Sequence, residues 1–162
     1  MKRVLRLLLA LVIAALIFCG GWAVGRLGLW SQVDRMSLAA PEQEFAERMS
    51  PAVLRGTFSI DGRDGPSRPD RYDISRVAKV GDDLWRFDVR IRYGDNDVTV
   101  PVTTPMRWVG DTPMVQMTDY AIPGLGTFTA RVFFHGDCYA GTWQHGPVGG
   151  QMSGRIAKGT AP

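Results

Sequence analysis

The sequence predicts an all-β domain, an eight-stranded antiparallel up-and-down barrel, preceded by one N-terminal transmembrane or signal helix. Three observations lead there. From residue 52 onward apolar and polar side chains alternate with a period of two, and no helical apolar stripe interrupts them. Short turn segments recur between these runs, and three contain the same pair: Gly81-Asp82, Gly110-Asp111 and Gly136-Asp137. Ahead of the domain, Lys2, Arg3 and Arg6 precede an unbroken apolar run from Leu7 to Cys19. A β-sandwich is the alternative arrangement for the same strands.

The leader comes first. The 162-residue chain holds 19 Lys and Arg against 16 Asp and Glu, a formal charge of +3. Divided by segment, residues 1–25 carry +3, residues 26–49 carry −1 and residues 50–162 carry +1. The basic excess therefore belongs to the leader, where cations stay on the cytoplasmic side and the chain beyond the apolar run is translocated. The domain itself is close to neutral, which speaks against nucleic-acid binding. The apolar run suits a signal-peptide core of roughly 7–15 residues. Extended through Gly25 it reaches the roughly 17–25 residues that span a bilayer. Ala23-Val24-Gly25 has the small-x-small form of a cleavage site. Two fates are open. Residues 4–25 stay in the inner membrane with the C-terminal domain outside the cytoplasm, or cleavage after Gly25 leaves a periplasmic or secreted protein. Phe18 argues against a lipoprotein reading of Cys19, because such sites take a small residue there.

Residues 26–50 read as a connector containing a short helix. Pro41 followed by Glu42, Glu44 and Glu47 suits acid-rich first turns, with Phe45 and Met49 on one face, and Ser50-Pro51 ends it. The expected role is a stalk between the leader and the domain.

The barrel domain occupies residues 51–162. Its clearest strand is Leu84 to Tyr93, where Trp85, Phe87, Val89, Ile91 and Tyr93 share one face and Arg86, Asp88, Arg90 and Arg92 the other. Similar runs fall at about 52–60, 71–80, 97–109, 113–119, 126–135, 138–145 and 150–158. The Gly-Asp turns close alternate hairpins, so they should gather at one end. Residues 61–70, 94–96, 120–125 and 146–149 should form a looped mouth at the other. A two-residue turn at Gly136-Asp137 pairs Phe134 with Tyr139, Val132 with Gly141, Ala130 with Trp143 and Phe128 with His145. A turn over 146–149 then sets Trp143 opposite Met152, Gly141 opposite Gly154 and Tyr139 opposite Ile156. Both registers select the same inward set and leave space beside Trp143, to be filled by a ligand or by an aromatic ring.

Candidate chemistry is sparse. His145 falls on the inward face at the looped end, with Tyr72 and Tyr93 expected nearby. Together with Gly141, Trp143 and Gly154, these form the candidate ligand-binding set: polar tips above an apolar interior could orient a small apolar or amphiphilic ligand. The same three tips carry the enzyme alternative, a hydrolase or isomerase using His145 with Tyr72 or Tyr93. A third reading is an envelope protein–protein interaction module. His135 and Cys138 flank an exposed turn, which offers no pocket for nucleophilic catalysis. His145 sits at the far end from His135, Asp137 and Cys138, so no metal site is expected. In Asp61-Gly62-Arg63-Asp64-Gly65 an arginine stands where a calcium ligand belongs. No phosphate-binding glycine loop, nucleophile elbow or Cys-x-x-Cys occurs, and no cofactor is expected. Cys138 is the only cysteine after the leader, so no disulfide within the domain is available to it.

The strings Ile122-Pro123-Gly124-Leu125-Gly126-Thr127-Phe128 and Tyr139-Ala140-Gly141-Thr142-Trp143-Gln144-His145-Gly146, together with the later Gly149-Gly150 and Gly154, resemble a family of exported bacterial proteins to which no activity is attached. The resemblance covers roughly residues 52–158 and implies the domain boundaries. At fold level the hairpin run is similar to lipocalin-like barrels, which carry Gly-x-Trp near the first strand. Here the first strand has Gly56-Thr57-Phe58, and Gly141-Thr142-Trp143 lies near the end.

Overall fold

The computed structural model describes residues 32–159, so the leader and the first residues of the connector lie outside the described residues. A single 3-10 turn, Arg35–Ser37, leads into helix α1, Ala40–Arg48. Beyond it run eight strands: β1 Ala52–Phe58, β2 Arg68–Lys79, β3 Leu84–Tyr93, β4 Asn96–Val109, β5 Thr112–Ile122, β6 Gly126–His135, β7 Cys138–His145 and β8 Val148–Lys158. Each pairs antiparallel with its sequence neighbours, and β8 closes on β1 through seven residue pairs from Ala52–Lys158 to Phe58–Met152. That closure makes a barrel and excludes the sandwich, which would leave sheet edges unpaired. Among the described residues no helix is long and apolar enough to cross a membrane.

Hairpin chemistry sets the two ends. The turns at 80–83, 110–111 and 136–137 share one end with the start of β1, as the Gly-Asp pairs suggest. Gly110 and Gly136 both take positive φ, which a two-residue hairpin turn with glycine first demands. The other end is less loopy than the sequence implied. β2 begins at Arg68, β5 runs on to Ile122 and β8 starts at Val148, so the mouth consists of residues 59–67, 94–95, 123–125 and 146–147. The shorter β7–β8 turn corrects one register: Tyr139 finds its partner in Gly154 rather than Ile156, while Gly141 faces Met152 and Trp143 faces Gly150. The slip is two residues, so every side chain keeps its face. The β6–β7 register is as expected, with Phe134–Tyr139, Val132–Gly141 and Ala130–Trp143 paired.

Two strands change face partway. β2 is irregular between Ile74 and Arg76, so Asp70, Tyr72 and Ile74 point inward above the bulge and Val77 below it. β5 is irregular between Met117 and Tyr120, where Asp119 has φ +48° and its N–H donates to Thr129 Oγ1 at 3.0 Å. β4 and β5 pair only from Met106–Val115 to Val109–Thr112. Above that point the two strands separate toward the mouth. The Met106 N–H donates to Asp83 O on the β3 side, whereas the Thr103 N–H donates to the Tyr120 hydroxyl on the β5 side at 3.0 Å. Because N–H direction alternates along a strand, Pro101 and Pro105 turn their donorless nitrogens toward the same seam.

The stalk reading of residues 40–48 gives way to a plug. Phe45, Ala46 and Met49 are buried in the barrel core, with Phe45 only 2% exposed. The Phe45 ring meets Trp85, Phe87, Trp108 and Phe134 edge-on at centroid distances of 5.5–6.4 Å. Polar bonds fix α1 around the rim. Lys79 Nζ pairs with Glu42 at 2.6 Å, Arg48 donates to Gly136 O at 2.7 Å, and Lys158 donates to Glu47 O at 2.8 Å. Outside, the arginines of β2 and β3 are paired: Arg71 and Arg92 with Asp73, Arg86 with Asp88, and Arg90 with Asp97.

Candidate functional site

Eight strands enclose an interior just wide enough to be filled by side chains or to hold one small ligand. Here the lower half is filled and the upper half is hollow. A cavity of about 550 Å³ runs from Ile60, Arg68, Asp95 and His145 at the mouth down to Phe87 and Phe134, which rest on the Phe45 plug. That volume lies within the roughly 300–1,000 Å³ of small-molecule sites. Its walls are mostly apolar, from Ile74, Val89 and Ile91 to Val115, Met117 and Val132.

Four of the six expected residues line it: Tyr72, Tyr93, Trp143 and His145. Gly141 and Gly154 do not. Gly141 lies where β6 comes close, since a Cβ there would sit 1.9 Å from Arg131 O. Gly154 faces Gly56 across the β1–β8 seam, and the ring of Tyr139 lies over both. An aromatic ring thus takes the space left by the glycines. Trp143 packs edge-on to Phe58 at 5.6 Å, and Phe58 in turn meets Tyr93 at 6.0 Å.

No hydrogen bond joins the three polar tips to one another among the described residues. The His145 ring stacks on Phe128 at 4.7 Å, and its Nδ1 lies 2.9 Å from Thr127 O. A carbonyl only accepts, so Nδ1 carries the proton. The Tyr72 hydroxyl donates to Asp70 Oδ2 at 3.2 Å, not to His145. Burial raises the Tyr93 hydroxyl above its ordinary pKa, so it stays protonated at neutral pH.

The polar group that does converge was not visible in the sequence. Asp70, 5% exposed, accepts from the Tyr139 hydroxyl at 2.8 Å as well as from Tyr72. A row of paired positions, Tyr139–Gly154–Gly56–Asp70, carries the tyrosine across two strands to its acceptor. Burial pushes the Asp70 carboxyl above its ordinary 3.8, and the two hydroxyl donors hold it part of the way down. Burial also raises both tyrosines, reinforced by the Asp70 charge beside them. Asp70 is not among the cavity-lining residues; it stands behind the tyrosines and fixes their rings.

A folded-state carboxyl raised above 3.8 holds its proton after the unfolded chain has released one. The contribution of Asp70 to stability is therefore greatest below 3.8 and declines as pH rises through the folded-state value. Asp70→Asn keeps a hydrogen-bonding group and removes the titration. The stability difference between wild type and Asp70→Asn, from urea unfolding at a series of pH values, should favour wild type more at low pH than at pH 7. A difference that stays flat would contradict this.

Among the described residues no three His, Cys, Asp or Glu converge as metal ligands. Cys138 Sγ lies 3.1 Å from the Arg155 guanidinium, which pairs with Asp137 at 2.8 Å across an exposed turn. Compared with family models, curated proteins and solved structures, the chain finds no match in any, so the site is read from its own geometry.

Proposed function

We propose that this protein is an exported, lipocalin-like barrel of the bacterial envelope, tethered to the outer side of the inner membrane or released after cleavage, that binds a small apolar or amphiphilic molecule. The observation that carries the ligand reading is the cavity of about 550 Å³, apolar along its walls and polar at its mouth. Export rests on the basic and apolar leader, and kinship with exported bacterial barrels on the two glycine-rich strings. Hydrogen bonds that commit His145 to Thr127 and Tyr72 to Asp70 favour binding over hydrolysis or isomerisation. Ring positions held by Asp70 and by stacking give a preformed wall, which lowers the ordering cost of binding.

Native mass spectrometry of the full chain, taken from its own envelope in polymer-bounded nanodiscs, tests this directly. The expected result is a small molecule released at one per chain, together with saturable binding of the neutral probe 1-aminoanthracene that changes Trp143 emission. The intact mass reports whether residues 1–25 are retained. Absence of both a released molecule and saturable probe binding would overturn the ligand reading and leave the protein-interaction module.

A further inference from the structure

Arg68 is the first residue of β2 and shares the inward face with Asp70, Tyr72 and Ile74. It stands opposite Phe58, whose ring packs on Tyr93 and Trp143 inside the mouth. Every arginine on the outer face of β2 and β3 has a side-chain partner: Arg71 and Arg92 share Asp73, Arg76 donates to Gln32, Arg86 pairs with Asp88 and Arg90 with Asp97. Arg68 makes no ion pair or side-chain hydrogen bond among the described residues. The carboxylate two positions along its own face, Asp70, is already taken by Tyr72 and Tyr139. Asp95, which also lines the mouth from the β3–β4 turn, forms no ion pair with it. Of the β2 and β3 arginines, the one that borders the apolar cavity is thus the one whose guanidinium has no side-chain partner among the described residues.

From this we infer that Arg68 receives the anionic head of a single-chain amphiphile, a carboxylate or phosphate, whose hydrocarbon tail descends toward Phe87 and Phe134. The inference rests on the ligand-binding reading above and adds the class and direction of the ligand. A guanidinium presents parallel donors that match the two oxygens of a carboxylate or phosphate. The apolar walls below accept only the tail, because an ionised head placed there would lose its water without a partner. The head therefore stays at the rim and the tail points down. Fatty acids and monoacyl phosphates share this chemistry.

The test compares decanoate, decyl phosphate and decanol, each displacing 1-aminoanthracene from the full chain held in an amphipathic polymer, with a polymer blank for partitioning. The two anions are expected to bind about fivefold or more tighter than decanol, a margin set by one charge-assisted contact at an exposed rim. Arg68→Gln should abolish that margin, and continued displacement of the probe by decanol shows that the barrel is intact. Arg68→Lys should restore part of it, more for the phosphate than for the planar carboxylate. Loss for one anion alone identifies which head the site takes and supports the assignment. If decanol binds as well as the anions, or the margin survives Arg68→Gln, the head-group assignment is wrong and the cavity reading stands. If the probe binds saturably but none of the three displaces it, the amphiphile assignment fails and the cavity reading stands.

Discussion

Replacing Phe45 with alanine is expected to destabilise the protein by about 3–5 kcal/mol and to lower its Tm by about 10–20 °C. The ring is 2% exposed and surrounded edge-on by Trp85, Phe87, Trp108 and Phe134, which come from three separate strands. Rigid strands on all sides prevent these neighbours from closing in, so most of the vacated space persists as a cavity. The helix carrying Phe45 is nine residues long, too short to be stable alone, so its docking depends on this ring and on Met49. Binding should change as well. Phe87 and Phe134 form the cavity floor and rest on Phe45, so rotation of either ring into part of the vacated space would deepen the site and shift its preference toward longer alkanols. Glu44→Ala, on the exposed side of the same helix, should stay within about 0.5 kcal/mol of wild type. Thermal unfolding by near-ultraviolet circular dichroism measures both, and a Phe45→Ala loss below about 1 kcal/mol would mean the helix is not part of the core.

Gly154→Ala should destabilise the barrel by about 3 kcal/mol or more. The added Cβ would lie 2.3 Å from Arg55 O, 2.6 Å from the Gly56 Cα and 2.6 Å from Tyr139 Cε1. Two of these atoms are backbone of β1, the strand that closes the barrel, so they can retreat only by parting β1 from β8. The third belongs to the ring that reaches Asp70, so the same methyl that strains the seam pushes Tyr139 off its acceptor. Ser153→Ala, the outward neighbour on the same strand, provides the control and should change stability by less than about 0.5 kcal/mol. Equal stability of the two variants would show that the glycine pair is incidental to closure.

The fold was more legible in the sequence than the site, for a reason visible in β7 and β8. A strand's inward set depends only on whether positions are odd or even, so a register wrong by two residues still sent Tyr139, Gly141 and Trp143 inward. Pair identities have no such protection, and it is the Tyr139–Gly154–Gly56–Asp70 row that builds the polar network. Asp70 lies in a segment whose Asp, Gly and Pro content reads as loop, which hides its inward face. With the strand extended back to Arg68, an acid and an arginine stand out at alternating inward positions. Phe45 and Met49 are recognisable as one helix face, but the rings that receive Phe45 lie on β3, β4 and β6. No local pattern links them to the helix. The bulges in β2 and β5 occur without glycine or proline, so nothing marks the change of face.

The separation of β4 from β5 toward the mouth bears on self-association. A strand edge with free donors is a template on which another chain can add a strand, the route by which β proteins form fibres. Between residues 101 and 105 that template is withheld. Pro101 and Pro105 have no N–H to offer toward the seam, and the single intervening donor there, on Thr103, is taken by the Tyr120 hydroxyl. On the β4 side, the wall can therefore stand partly parted over these residues without offering a free N–H to a second copy.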